Sequence, residues 1–229
     1  MNQISSKISA PHAGQDGRSK IGNFLSAHWD LLVWTVLLLW LNRPLLGGSI
    51  NSALLFQSPA VAQGQWWRIL TFPLVHLSWY HLLLDGGAFL LLYNGLAEER
   101  RWIKLLIMAA GSAGSLAFGL WLSPASSQGL SGLSGIAHGL MAFSALEMVR
   151  VPQQRLWGWT SLGIVVFKSL YELASGQVLF AFMHMGMCGD PVAACHAGGV
   201  LGGLAAFVVL HGVRRLKSIQ QASPAHAAL

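Results

Sequence analysis

Two polar side chains lie in otherwise apolar stretches and could together perform nucleophilic chemistry. Ser134 opens an apolar run within Gly129–Leu140 (GLSGLSGIAHGL), and His196 opens another near the end of the chain. A serine hydroxyl is a weak nucleophile until a neighbouring imidazole accepts its proton. Backbone N–H groups at a helix N-terminus have no intrahelical partner and can stabilise a developing oxyanion beside such a serine. Ser134 and His196 are therefore candidate catalytic residues.

The same segment has a simpler explanation, which is packing. Small residues are favoured at membrane helix interfaces, and Ser131 and Ser134 would serve there without any chemistry. His196 is what favours catalysis over packing. Ser131 also lies in a GLSG motif, but Ser134 stands where the apolar run begins and is the better nucleophile candidate. No carboxylate neighbours His196 in the sequence, which favours a Ser–His dyad over a triad.

The composition indicates a polytopic membrane protein. The 229 residues are 54% hydrophobic and 10% charged, with a mean hydropathy of +0.53, whereas soluble domains carry about 25% charged residues. The net charge of +6 comes from clusters between the apolar runs, which follow the positive-inside pattern rather than a nucleic-acid footprint. These clusters are Lys7, Arg18 and Lys20; Arg100, Arg101 and Lys104; Arg150 and Arg155; and Arg214, Arg215 and Lys217.

The predicted fold is an all-α integral membrane bundle with six spans, since a spanning helix needs about 20 apolar residues. The predicted spans are 29–46, 79–96, 103–122, 133–149, 157–174 and 192–213. They form one membrane domain, 24–213, with a long external loop at 47–77, an N-terminal tail at 1–23 and a C-terminal tail at 214–229. Glycines at 198, 199, 202 and 203 predict a close-packing face on the last span.

Ionisable residues inside spans are costly and usually functional. In this sequence they are His76, His81 and Asp85 at the second span, His138 in the fourth, Lys168 and Glu172 in the fifth, and His196 in the sixth. The predicted topology puts the residues of the second, fourth and sixth spans near the outer face. Lys168 and Glu172 are four residues apart on one helix face, which indicates structural neutralisation or recognition of a polar substrate feature.

The two cysteines, Cys188 and Cys195, also fall near the predicted outer face. An oxidising compartment permits a disulfide there, and a spacing of seven residues across a Gly-Asp-Pro turn is feasible. The alternative is two free, buried thiols. The bridge is the prediction.

Four motifs in this order give the chain a family resemblance. They are WWR, HLSWYHLLLD, GLSGIAHG and CHAGGVLGG, and together they resemble the rhomboid intramembrane serine proteases over about residues 60–210. His138, four residues after Ser134, and the segment KSLYELASG are more similar to the rhombosortase branch. That branch trims exported proteins that carry a C-terminal GlyGly-CTERM sorting tail.

The resemblance implies roles for single residues. Ser134 matches the nucleophile and His196 the general base. His81 matches a histidine that forms the oxyanion hole with the amides of Leu133 and Ser134, and His76 matches a supporting histidine. No cofactor or metal is implied.

Two positions depart from the family pattern. Asp85 stands where the family usually has Asn; it is either held neutral by its apolar surroundings or paired with His81 or Arg68. His138 replaces an aromatic residue that packs on the catalytic histidine. It either stacks on or hydrogen-bonds to His196, or it is only a satisfied polar group in a helix interface.

The resulting expectation is a rhombosortase-like intramembrane serine endopeptidase with a Ser–His dyad. It would lie in the bacterial inner membrane with both termini cytoplasmic and the active site open to the periplasm. Its partners would be the lipid bilayer and membrane-anchored proteins with C-terminal transmembrane tails, and not nucleic acid. One alternative is a catalytically inactive rhomboid-like protein that binds membrane clients. Another is a metal-binding protein or small transporter that uses His76, His81, His138 and His196.

Overall fold

The computed structural model describes residues 28–122, 129–179, 181–185, 187–188 and 192–222. Over these ranges the chain is helical, and its only β-type pairing is an isolated antiparallel bridge between Phe56 and Leu130. The α-helices are α1 (His28–Leu41), α2 (Ser58–Ala62), α3 (Arg68–Thr71), α4 (Trp79–Asn94), α5 (Arg101–Leu122), α6 (Ser134–Arg150), α7 (Arg155–Ser175) and α8 (Ala193–Ala222). The predicted N-terminal tail, 1–23, lies outside the described residues.

Within the described residues, two helices, α5 and α8, are long and apolar enough to cross a membrane. A third span is reached if the segment Arg68–Leu74 and α4, which meet at 96°, are taken together. The other long helices overlap the ranges predicted to span, but they are shorter or less apolar. The count of six spans therefore stays a prediction.

The first predicted span, 29–46, is longer than the helix found there. The α-helix ends at Leu41 because the buried side chain of Asn42 donates to the carbonyls of Leu38 and Leu74, each at 2.8 Å. A short 3₁₀ turn, Arg43–Gly47, follows with a proline in its first turn. Proline removes a backbone donor and favours this kind of chain reversal.

The outward faces of the helices are apolar. Leu91, Trp121 and Phe167 are each at least 66% exposed, although they lie on three different helices. Water would not stabilise so large an apolar surface, whereas lipid tails do. These apolar outward faces indicate a membrane protein.

Helix α8 packs against α5, α6 and α7. A Cβ atom on Gly199 would overlap the carbonyl oxygen of Gly135, and one on Gly203 would overlap that of Gly139. Glycine is required there because the two backbones touch. The predicted close-packing face is confirmed, and it brings the beginnings of α6 and α8 together.

The predicted external loop, 47–77, is organised by the arginine of the WWR motif. Arg68 is buried, and its Nη1 donates to the carbonyls of Ser52 at 2.7 Å and Leu55 at 2.6 Å. Its Nε donates to Gln65 Oε1 at 2.7 Å. These bonds satisfy the buried guanidinium and fix the chain that leads to His76.

A cluster of ion pairs connects the segment just before α5 to the last part of α8. Glu98, between α4 and α5, pairs with Arg100 and with Arg214 of α8, so the predicted C-terminal tail begins within a helix. Hydrogen bonds from Arg100, with the charges of both arginines, lower the pKa of Glu98 to about 2. The stability gained from this carboxylate is therefore present above its unfolded pKa, about 4.5, and is lost as the pH falls towards 2.

Glu98→Gln is accordingly expected to lower the free energy of unfolding by about 0.2–1 kcal/mol at pH 7, the range of partly exposed ion pairs. The difference from wild type should shrink at pH 3. Thermal unfolding in detergent at both pH values measures it, with the exposed neighbour Glu99→Gln as control. Equal stability of Glu98→Gln and wild type at pH 7 would contradict the assignment.

Candidate active site

The candidate catalytic residues line one cavity of about 560 Å³. The polar side chains in its wall include Ser134, His196, His81, Asp85, His138 and Lys168. Residues of the connection between α7 and α8, among them Met183 and His184, also line it. Polar groups from α4, α6, α7 and α8 thus converge in an otherwise apolar bundle.

Ser134 is the first residue of α6, directly after the fully buried Leu133. Gly132 before them has φ +96°, and a Cβ there would lie 2.7 Å from Asp85 Oδ2 and 2.9 Å from His81 Nε2. Glycine is needed here both for the left-handed backbone and for the close approach. Ser131 also lines the cavity, but it precedes the helix.

One carboxylate oxygen of Asp85 collects two donors. The backbone N–H of Ser134 donates to Asp85 Oδ2 at 3.1 Å, and His81 Nε2 lies 3.1 Å from the same oxygen. His81 Nδ1 accepts from the N–H of Leu77 at 3.4 Å, so the ring proton is on Nε2. Asp85 therefore pairs with His81 and not with Arg68, and it contacts two of the groups expected to hold an oxyanion.

His76 packs behind this pair. Its ring meets that of His81 edge-on with centroids 5.0 Å apart, and its Nε2 lies 3.9 Å from Asp85 Oδ2, beyond hydrogen-bond range. Within the described part of the chain, neither ring nitrogen has a hydrogen-bond partner. His76 is almost fully buried, and its ring supports that of His81 by packing.

His138 lies one turn after Ser134 and faces His196. The two imidazole rings stack, with centroids 4.2 Å apart and planes 10° from parallel. His138 Nδ1 is 2.7 Å from the carbonyl oxygen of Ser134, and its Nε2 is 3.0 Å from Lys168 Nζ. A carbonyl only accepts and an ammonium only donates, so Nδ1 carries the proton.

His196 is buried, and its Nδ1 lies 2.6 Å from Oε2 of Glu172, which is fully buried. The other oxygen, Oε1, accepts from Lys168 Nζ at 2.6 Å and from the backbone N–H of Leu179 at 2.8 Å. Lys168 and Glu172, both on α7, form the pair expected from their spacing, but Glu172 also contacts His196 on α8.

Ser134 and His196 both line the cavity. The contact between Gly135 of α6 and Gly199 of α8 holds the beginnings of their two helices together. Among the described residues, no hydrogen bond joins the Ser134 hydroxyl to His196. Catalytic hydrogen bonds are often long in the absence of substrate, so this geometry leaves the pair eligible for proton transfer.

Comparison with known proteins fits this arrangement. The family model of the Rhomboid domain matches residues 63–213, more than half of the chain. The chain belongs to the rhomboid family. It is 31% identical over 173 residues to the rhomboid protease GluP of Bacillus subtilis (strain 168), which covers 72% of this chain and 31% of that protein. The matched region thus spans about a third of that longer relative. No solved structure matches the chain.

The contact between Glu172 and His196 was missed by sequence reasoning about this rhomboid. The expected dyad left out a carboxylate because none lies near His196 in the chain. The available signal was Lys168 and Glu172 within a span, since buried charges in membranes pair with each other or with a functional group. The spacing of Lys168 and Glu172 did not show which helix would pack against the face that carries them.

The predicted disulfide is wrong in this structure, where Cys188 and Cys195 are both free thiols. Cys195 Sγ points towards α5, where a Cβ on Gly119 would lie 2.7 Å from it. Cys188 is buried in the connection before α8, with its Sγ 4.0 Å from the carbonyl oxygen of His184. The two side chains belong to different surroundings, although both line the cavity.

The four histidines of the metal-binding alternative fall into two groups. His76 and His81 lie with Asp85, whereas His138 and His196 lie with Glu172. Ligand-type atoms of His138, Glu172 and His196 come within 4.8 Å of one another. The ammonium of Lys168 already contacts His138 and Glu172, so a metal cation would have to displace it. A hydrogen-bond network accounts for this group without a metal.

Proposed function

We propose that this rhomboid is an intramembrane serine endopeptidase with Ser134 as nucleophile and His196 as general base. The observation that carries the proposal is that both residues line one polar cavity in an apolar bundle. Ser134 Oγ attacks the scissile carbonyl and gives its proton to His196 Nε2. His196 then protonates the departing amine, and water or another amine attacks the acyl-enzyme to release the product.

The developing oxyanion needs donors at the start of α6. The backbone amides of Leu133 and Ser134 and the ring of His81 are the proposed donors, with His76 supporting His81. Ser134 N–H and His81 now contact Asp85 Oδ2, so Asp85 must withdraw from them when an oxyanion forms.

The proposed setting is the bacterial inner membrane, with both termini cytoplasmic and the cavity near the periplasmic face. The distribution of Lys and Arg supports this orientation. The proposed substrates are exported proteins anchored by a C-terminal transmembrane tail of the GlyGly-CTERM type. His138 and KSLYELASG support the rhombosortase branch, and both belong to the polar network of the cavity.

One observation favours a second function, that of an inactive rhomboid-like protein that binds membrane clients. Asp85 already occupies the N–H of Ser134, and a fixed carboxylate there would repel an oxyanion. This function requires that Asp85 never leave that position.

A reconstituted cleavage assay tests the proposal. Wild type in liposomes is given two reporters with the same C-terminal transmembrane tail, one with Gly-Gly before the tail and one with Ala-Ala. Cleavage of the Gly-Gly reporter at least about 10-fold faster is expected, because a cleft fitted to glycine excludes a methyl group. Equal cleavage of both would contradict the rhombosortase assignment alone. Binding without cleavage of either reporter would support the client-binding function.

A further inference from the structure

Glu172 is a fully buried carboxylate near the end of α7, and three donors satisfy it. Oε2 lies 2.6 Å from His196 Nδ1, while Oε1 accepts from Lys168 Nζ at 2.6 Å and Leu179 N–H at 2.8 Å. A buried ion without partners costs several kcal/mol, so an acid is retained at such a site only when its partners compensate. Neutralisation by Lys168 alone leaves the short bond to His196 unexplained.

That bond fixes the tautomer of His196. An ionised carboxylate can only accept, so the imidazole proton is on Nδ1 and the lone pair of neutral His196 is on Nε2. The lone pair is what a general base needs, and Nε2 is the nitrogen left to receive the Ser134 proton.

We propose that Glu172 is the positioning residue of the general base, so that the catalytic unit is Ser134–His196–Glu172 and not a dyad. This inference rests on the proposed function. When the Ser134 proton moves to His196 Nε2, the ring becomes an imidazolium, and the charge of Glu172 stabilises it. Glu172 stays ionised throughout, and the proton leaves from Nε2 to the amine of the departing peptide.

Lys168 and His138 complete the support. Lys168 neutralises Glu172 in the resting state and donates to His138 Nε2 at 3.0 Å. His138 in turn bonds the Ser134 carbonyl and stacks on the face of His196. Glu172 thereby holds the edge of the His196 ring, and His138 holds its face. Because His138 also bonds to the Ser134 carbonyl, it connects His196 to Ser134.

Steady-state cleavage by the full-length chain in liposomes, with kcat and KM determined separately, tests this role. Glu172→Gln keeps the shape, but its amide can donate to His196 Nδ1 and move the ring proton onto Nε2. The expected result is a fall in kcat of at least about 10²-fold with little change in KM, since a wrong tautomer of the base can lower kcat by about 10⁴-fold. Glu172→Asp keeps the charge and is expected to recover at least about 10-fold of that loss.

The matched control is Glu147→Gln. Glu147 of α6 also pairs with a histidine, His211, at 3.2 Å, and it lies outside the cavity wall. Its kcat should stay within about 3-fold of wild type, the scale of a partly exposed ion pair. If the pair of Glu172 with His196 were purely structural, Glu172→Gln and Glu147→Gln would have the same small effect on kcat.

The outcomes separate this inference from the proposed function. If wild type does not cleave, the proposed function fails. If wild type cleaves and folded Glu172→Gln has an unchanged kcat, the function stands and the positioning role is overturned. If Glu172→Gln does not fold because Lys168 loses its partner, the double variant Lys168→Met/Glu172→Gln is compared with Lys168→Met alone. A kcat below that of Lys168→Met, at unchanged KM and unchanged thermal midpoint, supports the role, and an equal kcat overturns it.

Discussion

Replacing Ser134 or His196 by alanine is expected to lower the cleavage rate by at least about 10³-fold. Residues that act as one unit each remove most of the catalysis, so the double variant should be little worse than either single one. The measurement is the initial rate on a tail-anchored reporter in liposomes, with equal folded protein checked by thermal unfolding. Ser144→Ala removes a buried hydroxyl elsewhere on α6 and is the matched control.

Additive losses would contradict a shared proton-transfer step. If Ser134→Ala and His196→Ala each lost only a few-fold and the losses multiplied, the two residues would be acting separately. Full activity of Ser134→Ala with loss in Ser131→Ala would move the nucleophile to the preceding GLSG motif.

The second large effect is expected at Asp85, where replacement by asparagine should raise kcat. In the resting structure Asp85 Oδ2 contacts Ser134 N–H and His81 Nε2, each at 3.1 Å. An ionised carboxylate there competes with the oxyanion and repels it, whereas the amide of Asn keeps the shape and can donate. One oxyanion donor is worth about 10²- to 10³-fold in kcat, so a gain of at least about 10-fold is expected.

Initial rates of Asp85→Asn and wild type on the same reporter measure this effect, with Asp30→Asn as control. Asp30 pairs with Arg101 and Tyr93 and lines a different cavity. A fall in kcat for Asp85→Asn would mean that the carboxylate assists catalysis, for example by holding His81 in place. Activity in Asp85→Asn together with an inactive wild type would show that Asp85 silences the site.

Much of the architecture was readable because apolar length and small residues act locally. Long apolar runs predicted a helical membrane protein, and the motifs predicted the rhomboid family, which the Rhomboid domain match confirms. The glycines of the last span predicted close packing, and the backbones of α6 and α8 do touch at Gly135 and Gly199. These features depend on the side chain itself and its near neighbours in the chain.

The contacts that tune the site were not readable, because they depend on how helices cross. Spacing put Lys168 and Glu172 on one face but did not tell which helix that face would meet. Asp85 had two possible partners in the sequence, and it pairs with His81 on its own helix. Its contact with the N–H of Ser134 depends on how closely Gly132 approaches α4, which the sequence did not reveal. The expected disulfide failed for the same reason, since short separation in the chain does not direct two sulfur atoms at each other.

Covalent labelling tests whether Ser134, activated by His196, is a nucleophile. The full-length chain in detergent is treated with a fluorophosphonate probe, and the labelled residue is mapped by mass spectrometry. We expect label on Ser134 that is kept in Ser131→Ala and lost in His196→Ala. Label on Ser131, or an unlabelled wild type under conditions where an active rhomboid protease reacts, would contradict this role of Ser134.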